Sequence, residues 1–172
     1  EAVIVRDPQG RIIRIVSGDA RHTDTEGHRD RPIRLAHAVL NSHDVAEGLR
    51  FYENAFGMRL SDRTRIMAFI RIPAQPRGDH HSIALADADN DCLNHIAFLM
   101  PDIDSVMRGG GRMKDAGYGI EWGPGRHGPA DNAFNYFVGP FDLVIEYTAD
   151  VGQIDDSYIA RQPADWAWPP GR

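Results

Sequence analysis

Residues 33–88 and 91–148 carry the same features in the same order, and this internal repeat limits the fold more than any other property of the sequence. Each copy opens on a short apolar run with a central histidine, 33–40 around His37 and 93–100 around His95. A polar turn follows, Asn41-Ser42-His43-Asp44 or Pro101-Asp102-Ile103-Asp104, whose side chains suit a helix N-terminus. In the first copy Val45, Leu49, Tyr52 and Phe56 recur at helical spacing up to Gly57. The second helix, around 103–116, is expected to be weakened and interrupted at Gly109-Gly110-Gly111 and to stop at Gly117. Strand-like runs at 58–65, 66–72 and 81–86 complete the first copy, and runs at 119–122, 133–138 and 143–148 the second. The pattern is βαβββ twice. It predicts an α+β fold in which two matching modules form one curled mixed sheet around a shared cavity.

Outside the repeat the chain reads differently. Residues 2–16 form two strand-like runs around the turn Asp7-Pro8-Gln9-Gly10, where Pro presets φ and Gly tolerates the positive value. A lone hairpin is marginal in water, so this one needs a surface to dock on, and it reads as the end of a domain whose beginning is missing. Residues 17–32, almost without apolar side chains, read as a linker, and 149–172 as a C-terminal tail. Trp166, Trp168, Pro169 and Pro170 are expected to pack against the domain or a subunit partner. The 172 residues suffice for one sizeable core. A net charge of -6 argues against a nucleic-acid surface, and no apolar run approaches the roughly 18 residues of a membrane span. The single cysteine, Cys92, excludes an intramolecular disulfide and suits the cytoplasm.

The chemistry lies in three polar residues on strands that should be burying apolar ones. Alternation puts His37 on a face with Leu35 and Val39, His95 with Leu93, Ala97 and Leu99, and Glu146 with Val144 and Thr148. The histidines occupy equivalent positions, 58 residues apart. A buried carboxylate needs a cation, donors or a proton, and two imidazoles converging on it through a metal meet that need. A ligand matching Glu146 in the first copy would fall near Ala88; the strand 81–86 has no glutamate, although Asp87 and Asp89 lie just beyond. Three protein ligands with open positions is the two-histidine, one-carboxylate arrangement of non-haem Fe(II) oxygenases. Mn(II) fits the same donors, and zinc suits them less well. The glycine triplet lacks the ending of a P-loop, so a phosphate cradle is rejected. Cys92 falls on the opposite strand face from His95, which argues against a Cys–His nucleophile.

With these residues in place, the chain resembles the type I extradiol dioxygenases of the vicinal oxygen chelate superfamily, in their catalytic C-terminal domain, over residues 33–148. The most specific segment is Gly123-Pro124-Gly125-Arg126-His127-Gly128, followed by Asn132-Ala133-Phe134-Asn135-Tyr136, Pro140 and Glu146. It is similar to the family signature of a histidine, a tyrosine, a Pro-turn and the metal glutamate. Asn135 stands where an apolar residue is usual, Gly139 where a small polar one is, and Asp142 where Gly or Pro is. The resemblance implies His37, His95 and Glu146 as Fe(II) ligands, His81 as the acid–base residue, and His127 and Tyr136 as groups holding the bound substrate oxygens. It implies a catechol-type substrate, dioxygen as co-substrate, ring opening and a homo-oligomer. The hairpin at 2–16 then looks like the last strands of a preceding non-catalytic module. His80 reads as a solvent-exposed neighbour of His81. Rival readings are a glyoxalase-like isomerase or thiol transferase, whose sites carry a fourth protein ligand, a hydroxyphenyl keto acid oxygenase, and a metal-free module that binds an aromatic drug.

Overall fold

The computed structural model describes residues 1–20 and 30–166. Positions 21–29, most of the expected linker, and 167–172, which include Trp168, Pro169 and Pro170, lie outside the described residues. A hairpin of β1 (Ala2–Arg6) and β2 (Ile12–Val16) comes first. The first copy of the repeat is β3 (Arg34–Ser42), α1 (Val45–Phe56), β4 (Arg59–Arg63), β5 (Met67–Arg71), the two-residue β6 (Gly78–Asp79) and β7 (Ile83–Asp87). The second is β8 (Leu93–Leu99), α2 (Ile103–Asp115), β9 (Ile120–Arg126), β10 (Ala133–Val138) and β11 (Val144–Ala149), after which comes β12 (Gln153–Ile154).

One eight-stranded sheet runs β4-β5-β7-β3-β8-β11-β10-β9. The copies meet at the antiparallel pair β3–β8, and outward from it each repeats the same order. In each, the last strand lies parallel to the first, β7 beside β3 and β11 beside β8, and every other ladder is antiparallel. The expected βαβββ duplication and mixed sheet are what the chain forms.

Local chemistry explains the helices. Asp44 caps α1 by accepting from the Glu47 N–H at 2.8 Å, and Gly57 at φ 64° ends it in the left-handed region. Asp102 caps α2 through the Ser105 N–H at 2.7 Å. The expected interruption of α2 does not occur, because the glycines are packing residues rather than breakers. A Cβ on Gly109 would lie 2.8 Å from the Tyr147 ring, and one on Gly110 would lie 2.3 Å from Asn135 Nδ2. The helix therefore sits close on β10 and β11, and Asn135 is accommodated by the glycine opposite it.

Both helices cover the outer face of the sheet. Val45 and Tyr52 of α1 pack on Met58, Ala68, Ile70 and Leu85, and Val106 of α2 packs with Met100 and Ala149. Full burial of a side chain such as Ile70 or Leu85 contributes on the order of 1.5–3 kcal/mol. The inner face carries a smaller apolar cluster, Val39, Phe69 and Ala84, and otherwise opens on a cavity. The hairpin docks beside α1: Ile13 joins the cluster there, the buried Asp7 carboxylate accepts from Arg11 N and Nε, and Arg11 Nη1 donates to Asn41 O at 2.6 Å. A further small sheet, β6 with β12, was not anticipated; it returns the chain after β11 to Asp79, next to His80 and His81. Among the described residues, no helix is long and apolar enough to cross a membrane.

Candidate metal centre

The register of three neighbouring strands builds the site. Ala97 on β8 lies opposite His37 on β3 and opposite Glu146 on β11, so the three form one row across the sheet. His95 stands two residues along, opposite Val39 and Val144. Side chains two apart share a face, so both imidazoles and the carboxylate point to the same side. His37 Nε2 is 3.0 Å and His95 Nε2 is 3.3 Å from Glu146 Oε2. All three residues are buried, and their ligand atoms lie within 4.8 Å of one another.

Hydrogen bonds around the triad fix what His95 and Glu146 present. The Cys92 backbone N–H donates to Asn90 Oδ1, which therefore also accepts from Asn41 Nδ2; Asn41 Oδ1 in turn accepts from Asn94 Nδ2. Asn94 Oδ1 is left at 2.8 Å from His95 Nδ1, so Nδ1 donates and Nε2 carries the lone pair. That Nε2 is buried and makes no hydrogen bond, yet it faces a carboxylate oxygen. A bare lone pair aimed at a carboxylate is unfavourable until a cation sits between them, and this is the observation that fits a metal to these residues. Asn132 Nδ2 donates to Thr148 Oγ1 at 2.7 Å and reaches Glu146 Oε1 at 3.3 Å, while Thr148 donates to Ala133 O. One carboxylate oxygen is thus held from behind and the other turned to the imidazoles. Burial pushes the Glu146 carboxyl up, but the imidazole side of the site, with the hydrogen bond to His37 foremost, more than reverses this, to about 2, which keeps it a carboxylate.

The other expected residues gather around the same cavity, of about 1570 Å³. His81 is buried, with its ring 4.2 Å from that of His37, and burial, followed by the neighbouring histidines, holds its pKa well below the ordinary range. Tyr136 on β10 lies opposite Glu146, packs edge-on against His95, and has its hydroxyl 3.0 Å from His127 Nε2. Burial, then the Glu146 charge, raises the Tyr136 phenol far above its usual range, so it stays protonated. Burial lowers His127 against an opposing pull from Glu146. Trp122 stacks on Tyr136, and Met67, Phe69 and Trp166 supply apolar wall.

Three readings of the sequence need correction. Leu35 and Leu93 do not share the buried face of the histidines: they are 53% and 44% exposed, because the β3–β8 ladder shifts register between Leu35 and His37 and between Val39 and Leu40. The first-copy counterpart of Glu146 is Ala84, not a residue near Ala88: Val39 pairs with Ala84 on β7 as Ala97 pairs with Glu146 on β11. The second copy is longer between helix and last strand, so a constant offset of 58 misplaces it. His80 is buried, with Nε2 at 2.7 Å from Asp62 Oδ2. Asn94, Asn132, Asp62 and His80 were missed around the site; an Asp inside the strand-like run 58–65 was the available signal for Asp62, and the Asn side chains carried none.

Residues 34–147 match the family model described as the Glyoxalase/Bleomycin resistance protein/Dioxygenase superfamily. Metapyrocatechase 2 of Cupriavidus necator is 38% identical over 141 residues, which is 81% of this chain and 41% of that protein. The Mn(II)-bound glyoxalase from Novosphingobium aromaticivorans superposes with a TM-score of 0.80 at 31% identity, over 94% of this chain and 53% of that one. The 2,3-dioxygenase LapB from Pseudomonas sp. KL28 gives the same TM-score at 19% identity, over 96% of this chain and 64% of that one, a likeness of fold. The chain spans about two-fifths of the length of the first of these relatives and about half of the second.

Proposed function

The chain belongs to the Glyoxalase/Bleomycin resistance protein/Dioxygenase superfamily, and on that premise we propose that His37, His95 and Glu146 hold one Fe(II) ion at which a catechol-type substrate is ring-opened by dioxygen. The observation that carries this reading is the buried His95 Nε2 lone pair, fixed in tautomer from behind and facing the Glu146 carboxylate. Bound Fe(II) would supply Lewis acidity that eases loss of the catechol protons and a route for electrons from ring to dioxygen. Mn(II) suits the same donors.

The chain's own residues do the rest. Phe69, Trp122 and Trp166 form flat apolar wall for an aromatic ring and exclude water around it. His81, neutral in its buried setting, takes a hydroxyl proton from the substrate and returns it to the product. Tyr136 keeps its proton and hydrogen-bonds a substrate oxygen, with His127 holding the hydroxyl in place at 3.0 Å. The isomerase reading fares worse, since Ala84 stands where a fourth protein ligand would have to be. Association into a homo-oligomer belongs to the same proposal.

The test is anaerobic loading with Fe(II), then a panel of catechols and of monophenols with oxygen, followed by the absorbance of ring-opened products. Catechols should turn over and monophenols should not, because only two adjacent hydroxyls can chelate. Equal turnover of both classes, or none with any catechol at full iron occupancy, would refute the assignment.

A further inference from the structure

Behind His81 lies a second buried polar chain that the metal site does not use. Asp62 on β4 is fully buried, and its two oxygens have separate partners. Oδ1 accepts from the Arg161 backbone N–H at 2.9 Å and Oδ2 meets His80 Nε2 at 2.7 Å, with the Tyr158 hydroxyl within 3.1–3.2 Å of both. His80 Nδ1 lies 3.2 Å from His81 Nδ1. The rings of Phe69 and Tyr158 pack against His80, so that side chain sits between Asp62 and His81 with little else to bond. A carboxylate can only accept, so His80 Nε2 donates to it. A neutral His80 then presents a bare Nδ1, and His81 must answer with an Nδ1–H. The other nitrogen of His81, Nε2, is left as an acceptor on a ring that lines the metal cavity.

We propose that Asp62 and His80 are positioning residues that fix His81 in its Nδ1–H tautomer, leaving Nε2 free to accept a proton from substrate. The inference rests on the reading of His81 as the proton-transfer group. When Nε2 takes a hydroxyl proton, that O–H bond breaks, an N–H bond forms, and the oxygen keeps the electron pair. The resulting imidazolium keeps its Nδ1–H bond to His80, which stays bonded to the Asp62 carboxylate.

One substitution inverts this order without changing its shape. In Asp62→Asn the Arg161 N–H still requires an oxygen at the Oδ1 position, so the new NH₂ falls at the Oδ2 position and donates to His80 Nε2. His80 then carries its proton on Nδ1, and His81 must move its own to Nε2, where it cannot accept one. Losing the correct tautomer in the serine-protease triad lowers kcat about ten-thousandfold.

The experiment uses ¹⁵N-histidine NMR of the full chain loaded with diamagnetic Zn(II), the His81 signals being assigned with His81→Asn. Wild type should show His81 protonated at Nδ1 with a bare Nε2, and Asp62→Asn should show the reverse. In the Fe(II)-loaded protein, Asp62→Asn should lower kcat by about 10²–10⁴-fold, with catechol KM and iron content little changed. The wild-type spectrum decides even if Asp62→Asn fails to fold. His81 protonated at Nε2, or an imidazolium at His80, overturns the proposal, as does a tautomer indifferent to Asp62→Asn. A tautomer that inverts while turnover is unchanged upholds the positioning and removes His81 from proton transfer instead.

Discussion

Ala97 should be as necessary to the metal site as any ligand, although it offers no donor atom. It is fully buried and lies one strand from His37 on one side and one strand from Glu146 on the other. Directly paired residues have Cβ atoms about 5 Å apart, which puts those of His37 and Glu146 roughly 10 Å apart. Their tips nevertheless come within 3.0 Å, so both side chains lean inward over the Ala97 methyl. Ala97→Leu would drive three more carbons into that gap. Overpacking of this kind costs about 1–3 kcal/mol, or a fall in Tm of roughly 2–12 °C for a chain of this size. The effect on metal should be larger than on folding. Disturbing groups behind a ligand typically weakens metal binding about 10–100-fold, and here two ligands are pushed apart, so Fe(II) affinity should fall by at least about 100-fold. Ala97→Gly is the control: it costs about 0.5–1 kcal/mol as a strand glycine but leaves the gap open. The assay is anaerobic Fe(II) titration against a competing chelator, alongside thermal melting. Folded Ala97→Leu protein that binds one iron with wild-type affinity would refute the row of three and the coordination built on it.

Three other outcomes follow from the same geometry. Glu146→Ala should lose iron, since two imidazoles alone hold Fe(II) poorly; full occupancy by metal analysis would exclude the proposed ligand set. His81→Asn should keep iron content and anaerobic catechol binding while turnover drops about 10²–10⁴-fold; a change of less than about threefold would make it a wall residue, and loss of iron would make it a ligand. Gly110→Ala should destabilise by about 1–3 kcal/mol because its Cβ meets Asn135 at 2.3 Å, whereas Gly111→Ala, with open space around it, should stabilise by up to about 1 kcal/mol through helix propensity. Equal and opposite signs to these in chemical denaturation would contradict the close packing of α2 on the sheet.

The parts of this fold that were legible in the sequence are those written as local pattern. The βαβββ units, the Asp44 and Asp102 caps and the alternation that exposes His37, His95 and Glu146 to one face all depend on neighbours a few residues apart. What escaped depends on who sits across a ladder or against a helix. A glycine triplet in a helix looks like weakness until the tyrosine and asparagine it admits are known. A histidine beside a catalytic candidate looks like an exposed strand end until an aspartate 18 residues earlier is found against it. Neither partner is marked by spacing, because each is set by how separate elements pack together rather than by a pattern along one of them.

Register also explains why a symmetric fold yields a one-sided site. By strand pairing, Val39 and Ala84 in the first copy occupy the places that Ala97 and Glu146 hold in the second. Each copy carries one of the two histidines, but only the second combines a small residue in the central strand with a carboxylate beside it. In the other, Val39 and Ala84 close over that place and pack with Phe69. The exchange has two consequences that act together. On the proposed function, it leaves the metal without a fourth protein ligand, and so with positions for substrate and oxygen, and it puts apolar side chains beside the histidines that line the cavity. The same pair of residues that breaks the symmetry would therefore both open the proposed metal and shape what can reach it.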